Sequence, residues 1–132
     1  LRRRTRSRLV CTYVEPAGSP SETGFMIWQD IRLQVRDNLQ VDARVTLFDT
    51  DGFESRLYHF ENDLLYVFTS NMLFEQGQRV YLLLNYDPVD RVRIWLKLST
   101  TIYENRASIG SGKDRLPQSH RSDVGLQVRV RI

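Results

Sequence analysis

The sequence predicts an all-β domain: a six- to nine-stranded antiparallel barrel or sandwich, with the barrel form preferred. Three observations carry this expectation. Apolar and polar residues alternate with period two in several segments, as when one strand face is covered and the other is not. Turn-forming residues separate these segments at short intervals. No stretch of ten or more residues has both a helical apolar period and capping signals.

The elements follow in chain order. Residues 9–14 form a first candidate strand, and Glu15 to Gly24 is a Pro-, Gly-, Ser- and Thr-rich connector. Segments 24–28 and 31–35 are weaker strand candidates. Val41, Ala43, Val45 and Leu47 alternate with Asp42, Arg44 and Thr46. Asp49 to Gly52 then predicts a hairpin between 41–48 and 53–60, with Gly52 supplying the left-handed position. A strand at 64–69 and a connector from Asn71 to Gly77 follow. Val80, Leu82, Leu84 and Tyr86 share a face, and Asn85 to Pro88 turns the chain into 91–98. There Val92, Ile94, Leu96 and Leu98 alternate with Arg91, Arg93, Trp95 and Lys97. Asn105 to Asp123 reads as a long polar loop. The last strand alternates Leu126, Val128, Val130 and Ile132 with Gln127, Arg129 and Arg131. The expected core is Val45, Leu47, Leu82, Leu84, Ile94, Leu96, Val128 and Val130.

With 132 residues, 41% hydrophobic and 27% charged, the chain has the size and composition of one globular domain. No apolar run approaches the roughly 18 residues of a membrane-spanning helix, so no membrane span is expected. No secretory leader is expected either, because an apolar segment is missing from the amino end. Cys11 is the single cysteine, which excludes an intrachain disulfide and a thiolate metal cluster and favours a reducing cytoplasm. Charge is unevenly spread. Five of the nineteen basic residues lie in residues 1–8, whereas residues 9–132 hold fourteen basic and sixteen acidic side chains. The organisation expected is a basic arm over 1–8, a strand and linker extension over 9–30, and a β domain over 31–132. Arg2, Arg3, Arg4, Arg6 and Arg8 point to an anionic partner. They are expected either to line a polyanion or to clamp a phosphate-bearing ligand through bidentate hydrogen bonds.

No constellation argues for catalysis, and the chain is expected to be non-enzymatic. Asp49-Thr-Asp-Gly-Phe-Glu54 lacks the spacing of a calcium loop and reads as a turn. Gly110-Ser-Gly-Lys113 has Ala107 where a phosphate loop needs glycine and Asp114 where it needs Ser or Thr, so it reads as a loop. Ser119, His120 and Asp123 are close in sequence, but a hydrolase triad is defined by geometry and not by proximity. His59 and His120 stand alone, and no metal or other cofactor is expected.

From Ile31 onward the order of features resembles a PilZ domain, a bacterial β-barrel that binds cyclic di-GMP. Arg32-Leu-Gln-Val-Arg36 has that family's Arg-x-x-x-Arg spacing ahead of the first barrel strand. His59-Phe-Glu-Asn-Asp-Leu64 stands where the family has Asp/Asn-x-Ser-x-x-Gly. Leu73 to Gly77 resembles its Leu-x-x-Gly turn, and Val124-Gly-Leu-Gln-Val128 its closing strand. The resemblance implies that Arg32 and Arg36 hold the phosphates of a cyclic dinucleotide, with Arg2 to Arg8 as an alternative clamp. His59, Glu61 and Leu64 depart from the motif: a carboxylate at Glu61 repels phosphate, and Leu64 blocks close backbone approach. Members of that kind keep the barrel and act through protein contacts. The function implied is a binding or adaptor module, responsive to cyclic di-GMP or working through a protein partner.

Two other expectations stand beside it. One is a basic-armed, viral coat-like β-sandwich that binds nucleic acid, its surface extended by Arg91, Arg93, Lys97, Arg129 and Arg131. The other is a structural subunit of a large assembly.

Overall fold

The computed structural model describes residues 1–104 and 119–132. The Gly110 to Lys113 segment lies outside them. The described chain is all-β and antiparallel, with β1 (Arg2–Val14), β2 (Glu22–Arg36), β3 (Leu39–Thr50), β4 (Leu57–Glu61), β5 (Thr69–Leu73), β6 (Gln76–Val89), β7 (Val92–Tyr103) and β8 (His120–Val130). Six of these form one sheet in the order β1-β2-β3-β6-β7-β8, while β4 and β5 form a separate two-stranded hairpin. The sheet is not closed into a ring. Among the described residues, no helix is long and apolar enough to cross a membrane.

Each alternating segment of the sequence lies in one of the long strands β3, β6, β7 and β8. Other boundaries differ. Segments 24–28 and 31–35 are a single continuous strand, β2. The arginines of residues 2–8 are the first half of β1, paired with β2 from Arg2↔Gln34 to Val14↔Glu22. The hairpin expected across Asp49 to Gly52 does not form. After Thr50 the chain leaves the main sheet, and β3 pairs with β2 and β6 instead. Segment 64–69 is mainly the turn of the β4–β5 hairpin, and residues expected as a connector supply β5 and the start of β6. The expected 80–86 to 91–98 hairpin is present, but its turn is at Asp90-Arg91.

Connection lengths are sorted by end. The β2–β3 and β6–β7 turns each take two residues, 37–38 and 90–91, and lie at one end of the sheet. The β1–β2 connector, the β4–β5 excursion, the end of β7 and the start of β8 lie at the other end. These are called the turn end and the loop end.

The hairpin covers one face of the sheet, and it is not the face expected. None of the eight expected core residues is buried. Val45, Leu47, Val128 and Val130 are about half exposed or more, and Leu82, Leu84, Ile94 and Leu96 are only partly covered. The covered face is the opposite one, bearing Trp28, Asp42, Arg44, Thr46, Arg79, Tyr81, Leu83, Trp95 and Lys97. Period two states which residues share a face, but not which face a distant hairpin will cover.

The apolar part of the covered face is divided. At the loop end, cross-strand neighbours Val10, Met26, Phe48, Gly77 and Tyr103 form a rung on which Leu57 and Leu73 of the hairpin pack. Phe48 meets Tyr103 edge-on at 5.7 Å between centroids. Gly77 is required there, since a Cβ would strike Phe48 at 2.8 Å and the backbone carbonyl of Ile102. Nearer the middle, Leu64 and Leu65 cover Tyr81, Leu83 and Trp95. Phe48→Ala is expected to cost about 3–5 kcal/mol through the cavity it leaves. A fall in denaturant midpoint at unchanged slope checks this.

Candidate functional site

Charge is gathered on the covered face. Successive cross-strand rungs read Arg8–Trp28–Thr46–Arg79–Thr101, Arg6–Asp30–Arg44–Tyr81–Ser99 and Arg4–Arg32–Asp42–Leu83–Lys97. On β2, β3, β6 and β7 these residues alternate mostly with apolar ones and on β1 with Arg3, Thr5 and Ser7, and period two puts each set on one face.

The hairpin is fastened through this charge. Glu61 at the end of β4 has no exposed side chain and accepts from Arg79 Nη2 at 3.0 Å. Lys97 Nζ lies 3.2 Å from the same carboxylate and donates to Asp63 Oδ2 at 2.7 Å. Asp63 also accepts from the Leu64 amide at 2.8 Å and from the Thr69 hydroxyl. Arg79 Nη1 donates to Thr101 Oγ1 at 2.7 Å. Burial opposes ionisation of Glu61 and Asp63. Arg79 and Lys97 outweigh it at Glu61, and Lys97 with Thr69 outweighs it at Asp63, so both carboxyls titrate below their ordinary value.

A second centre lies on β2 and β3. Arg44 grips Asp30 with both prongs and donates to the Phe60 carbonyl at 2.8 Å. Its guanidinium lies 4.2 Å from the centroid of Trp28, which also stacks on His59. Arg44 Nη1 contacts His59 Nε2, and an arginine can only donate, so that nitrogen is the acceptor. Burial first, and the Arg44 charge second, lower the His59 pKa to about 4. Arg6 reaches the same Asp30 at 3.2 Å, and Arg32 pairs with Asp42 through Nε.

The structure brings together the two arginine groups singled out in the sequence. Arg2, Arg4, Arg6 and Arg8 share the covered-face side of β1, and Arg3 points to the other side. Arg4 is the cross-strand neighbour of Arg32, and Arg36 ends β2 at the turn. Arg2, Arg3, Arg4, Arg32 and Arg36 line one open cleft of about 740 Å³ at the turn end. His59, Glu61 and Leu64 do not join them. They dock the hairpin: Leu64 packs on the Tyr81 cluster and closes over Gly125, where a Cβ would lie 3.0 Å from Leu64 Cδ1.

Three further expectations are corrected or located. Lys97 does not extend a basic surface; it is buried and paired with two carboxylates. Arg93 is paired with Asp87, beside Arg91, Arg129 and Arg131 at the turn end. His120 and Asp123 fall on opposite faces of β8, and Asp123 is bound by Arg121. Among the described residues, no three His, Cys, Asp or Glu are grouped to hold a metal. The roles of Glu61, Asp63, Arg79 and Lys97 were missed in the sequence. The available signal was the recurrence of ionisable residues at the polar positions of adjoining strands. No protein-family model matches the chain, and no curated protein and no solved structure is significantly similar to it.

Glu61→Gln is expected to leave Arg79 and Lys97 short of a charge partner and to cost about 3–5 kcal/mol. Chemical denaturation checks this against Glu54→Gln on the exposed turn. Neutral His59 predicts a separate pH dependence. Its folded pKa of about 4 lies below the ordinary 6.5, so the unfolded chain takes up the proton first. The stabilisation is complete above pH 6.5 and falls by roughly 3 kcal/mol as pH drops to 4. The lowered carboxyls add a further loss only below the ordinary carboxylate range. Unfolding curves of the wild type and His59→Gln between pH 4 and 7 check the upper limb, which the variant should lack.

Proposed function

We propose that this chain forms part of the wall of a transmembrane β-barrel, with the apolar face of the sheet against lipid and the ion-paired face lining the lumen. One observation carries the reading: the sheet is inside-out relative to a domain folded in water. Its charged face is the one covered by its own hairpin, and its apolar face is bare. Rungs of that bare face read Ile31–Ala43–Leu82–Leu98–Val124 and Leu33–Val41–Leu84–Leu96–Leu126. Its acidic and basic residues are Asp49 and His120 at the loop end and, at the turn end, Arg3 on the β1 edge and Arg36, which the β2 bulge sets opposite Leu39 of this face.

The dimensions support it. The outward residues Val92 to Ile102 of β7 span about 34 Å along the strand, or about 25 Å at the roughly 40° tilt of membrane barrels. That is the height of a bilayer's apolar band. Tyr13 and Phe25 near the loop end and Tyr86 near the turn end are exposed on this face, where barrels carry aromatic girdles. Two-residue turns at one end and long connections at the other follow the same pattern. A large bare apolar patch is otherwise a liability in water. Six strands fall short of the eight of the smallest such barrels, so the reading requires additional strands at the β1 and β8 edges. The hairpin β4–β5 then lies inside and narrows the lumen. No catalytic step is part of this proposal.

A second reading draws on the arginine cleft. In a PilZ-like adaptor, Arg32 and Arg36 hold the phosphates of cyclic di-GMP, and the β1–β2 register adds Arg2 and Arg4. In this reading the apolar face is covered by a protein partner in the cytoplasm. Calorimetry with cyclic di-GMP tests it: binding lost in Arg32→Ala with Arg36→Ala supports the adaptor.

Leu82→Arg and Leu96→Arg separate the two readings. At the middle of a lipid-facing band each is expected to cost about 2–4 kcal/mol and reduce recovery in the membrane fraction. On a face open to water each changes stability by no more than about 0.5 kcal/mol. Extraction of the wild type by alkaline carbonate, with no effect of either substitution, overturns the barrel reading.

A further inference from the structure

The positive charge of the covered face is not spread evenly across it. On the β6–β8 side most of the ions are paired: Arg79 and Lys97 face Glu61 and Asp63, Arg121 faces Asp123 and Arg93 faces Asp87, with Arg129 at the turn end outside these pairs. On the β1–β3 side, between the Arg2 and Arg8 rungs, six cations (Arg2, Arg4, Arg6, Arg8, Arg32 and Arg44) face two carboxylates, Asp30 and Asp42. Arg44 and Arg6 share Asp30, and Arg32 takes Asp42. Among the described residues Arg2, Arg4 and Arg8 form no ion pair, and the acid of the cleft that Arg2 and Arg4 line is Asp37 at its turn-end rim, beside Arg36. All three are exposed on the side of β1 that faces the hairpin-bearing space.

Like charges two residues apart on one strand stand about 6.8 Å from one another and repel. Between these rungs nothing on the covered face of β2 or β3 relieves this, because Asp30 and Asp42 are already engaged. The arrangement is therefore costly alone and favourable with an anion in place. Arg32, the cross-strand neighbour of Arg4, pairs with Asp42 through Nε, so its terminal nitrogens are not used in that pair. Arg36 sits at the cleft that forms the ladder's turn-end mouth.

We propose that Arg2, Arg4 and Arg8, with Arg32 and Arg36 at the mouth, form a binding track for a solute carrying two or more phosphoryl groups. A guanidinium fork matches phosphoryl oxygens in pairs. The spacing along β1 suits an extended oligoanion that bridges successive arginines, and a single orthophosphate can satisfy only one rung. The inference deepens the barrel reading, since it names what the lumen face would admit. It rests on that reading only for the direction from which the solute arrives.

The test is calorimetry on the full chain, purified in mild detergent, with inorganic tripolyphosphate and orthophosphate as probes. Tripolyphosphate should bind at least tenfold more tightly than orthophosphate, and its affinity should fall steeply with salt. The combined variant Arg2→Gln, Arg4→Gln and Arg8→Gln should weaken tripolyphosphate at least tenfold. Arg91→Gln with Arg131→Gln, which removes the same type of charge at the turn end, should not. Equal affinity for both probes, or tripolyphosphate binding unchanged in the ladder variant, overturns the track. The same preparations are scored for membrane recovery and for circular dichroism of β-structure. A membrane-integrated, folded protein without binding overturns the track alone. A folded protein that binds through the ladder but is not in the membrane supports the track and overturns the barrel.

Discussion

A buried carboxylate between two buried cations organises this protein. Glu61 enters the covered face from the hairpin and meets Arg79 and Lys97, which project from two adjoining strands of the sheet. Neither cation can stay under the hairpin unpaired, since an isolated buried charge costs several kcal/mol. The apolar anchors Leu57 and Leu73 lie at the loop end, so midway down the sheet the hairpin is held by these ions, by the Arg44 contacts with His59 and Phe60 and by Leu64 and Leu65. Asp63 and the Leu64 and Leu65 pair complete the seam. Position and charge therefore depend on each other, and the hairpin docks in one register because its acids must meet those bases.

That dependence explains the unusual distribution of polarity. A sheet folded in water buries its apolar face and leaves its ions to the solvent. Here the ions under the hairpin are enclosed and the apolar rungs are bare, the partition on which the proposed barrel wall rests. The same partition explains why the unmatched cations matter. Where ionic groups are enclosed they are matched, as around Glu61 and Asp30. Where they are open to the space beside the hairpin, on β1, they are left in excess. Paired and unpaired charge are thus separated across one sheet face, the first mainly toward β6 and β7 and the second toward β1.

Much of this was legible in the chain. The alternation of 41–47, 80–86, 92–98 and 126–132 marks β3, β6, β7 and β8, and the sorting of residues onto two faces follows from it. The clustering of arginines near the amino end was also visible. Their pairing with Arg32 was not, because it depends on β1 folding back on β2 across a connector whose length does not set the register. The role of Glu61 was hidden for a related reason. Read locally, it is a misplaced acid in a motif. Only its position opposite Arg79, eighteen residues on, makes it a fastening.

The sequence by itself determined the strand content, the antiparallel plan and the membership of each face, because the pleat sends alternate side chains to opposite sides whatever surrounds them. It did not determine which face is inside. Hydrophobicity ranks residues for burial only when water is the surrounding medium, and the expected core of Val45, Leu82 and Val128 followed from that premise. The tertiary structure decided otherwise by laying β4 and β5 on the charged side. The ion pairs that hold the hairpin there join residues far apart in the chain, and such long-range contacts have no period to read.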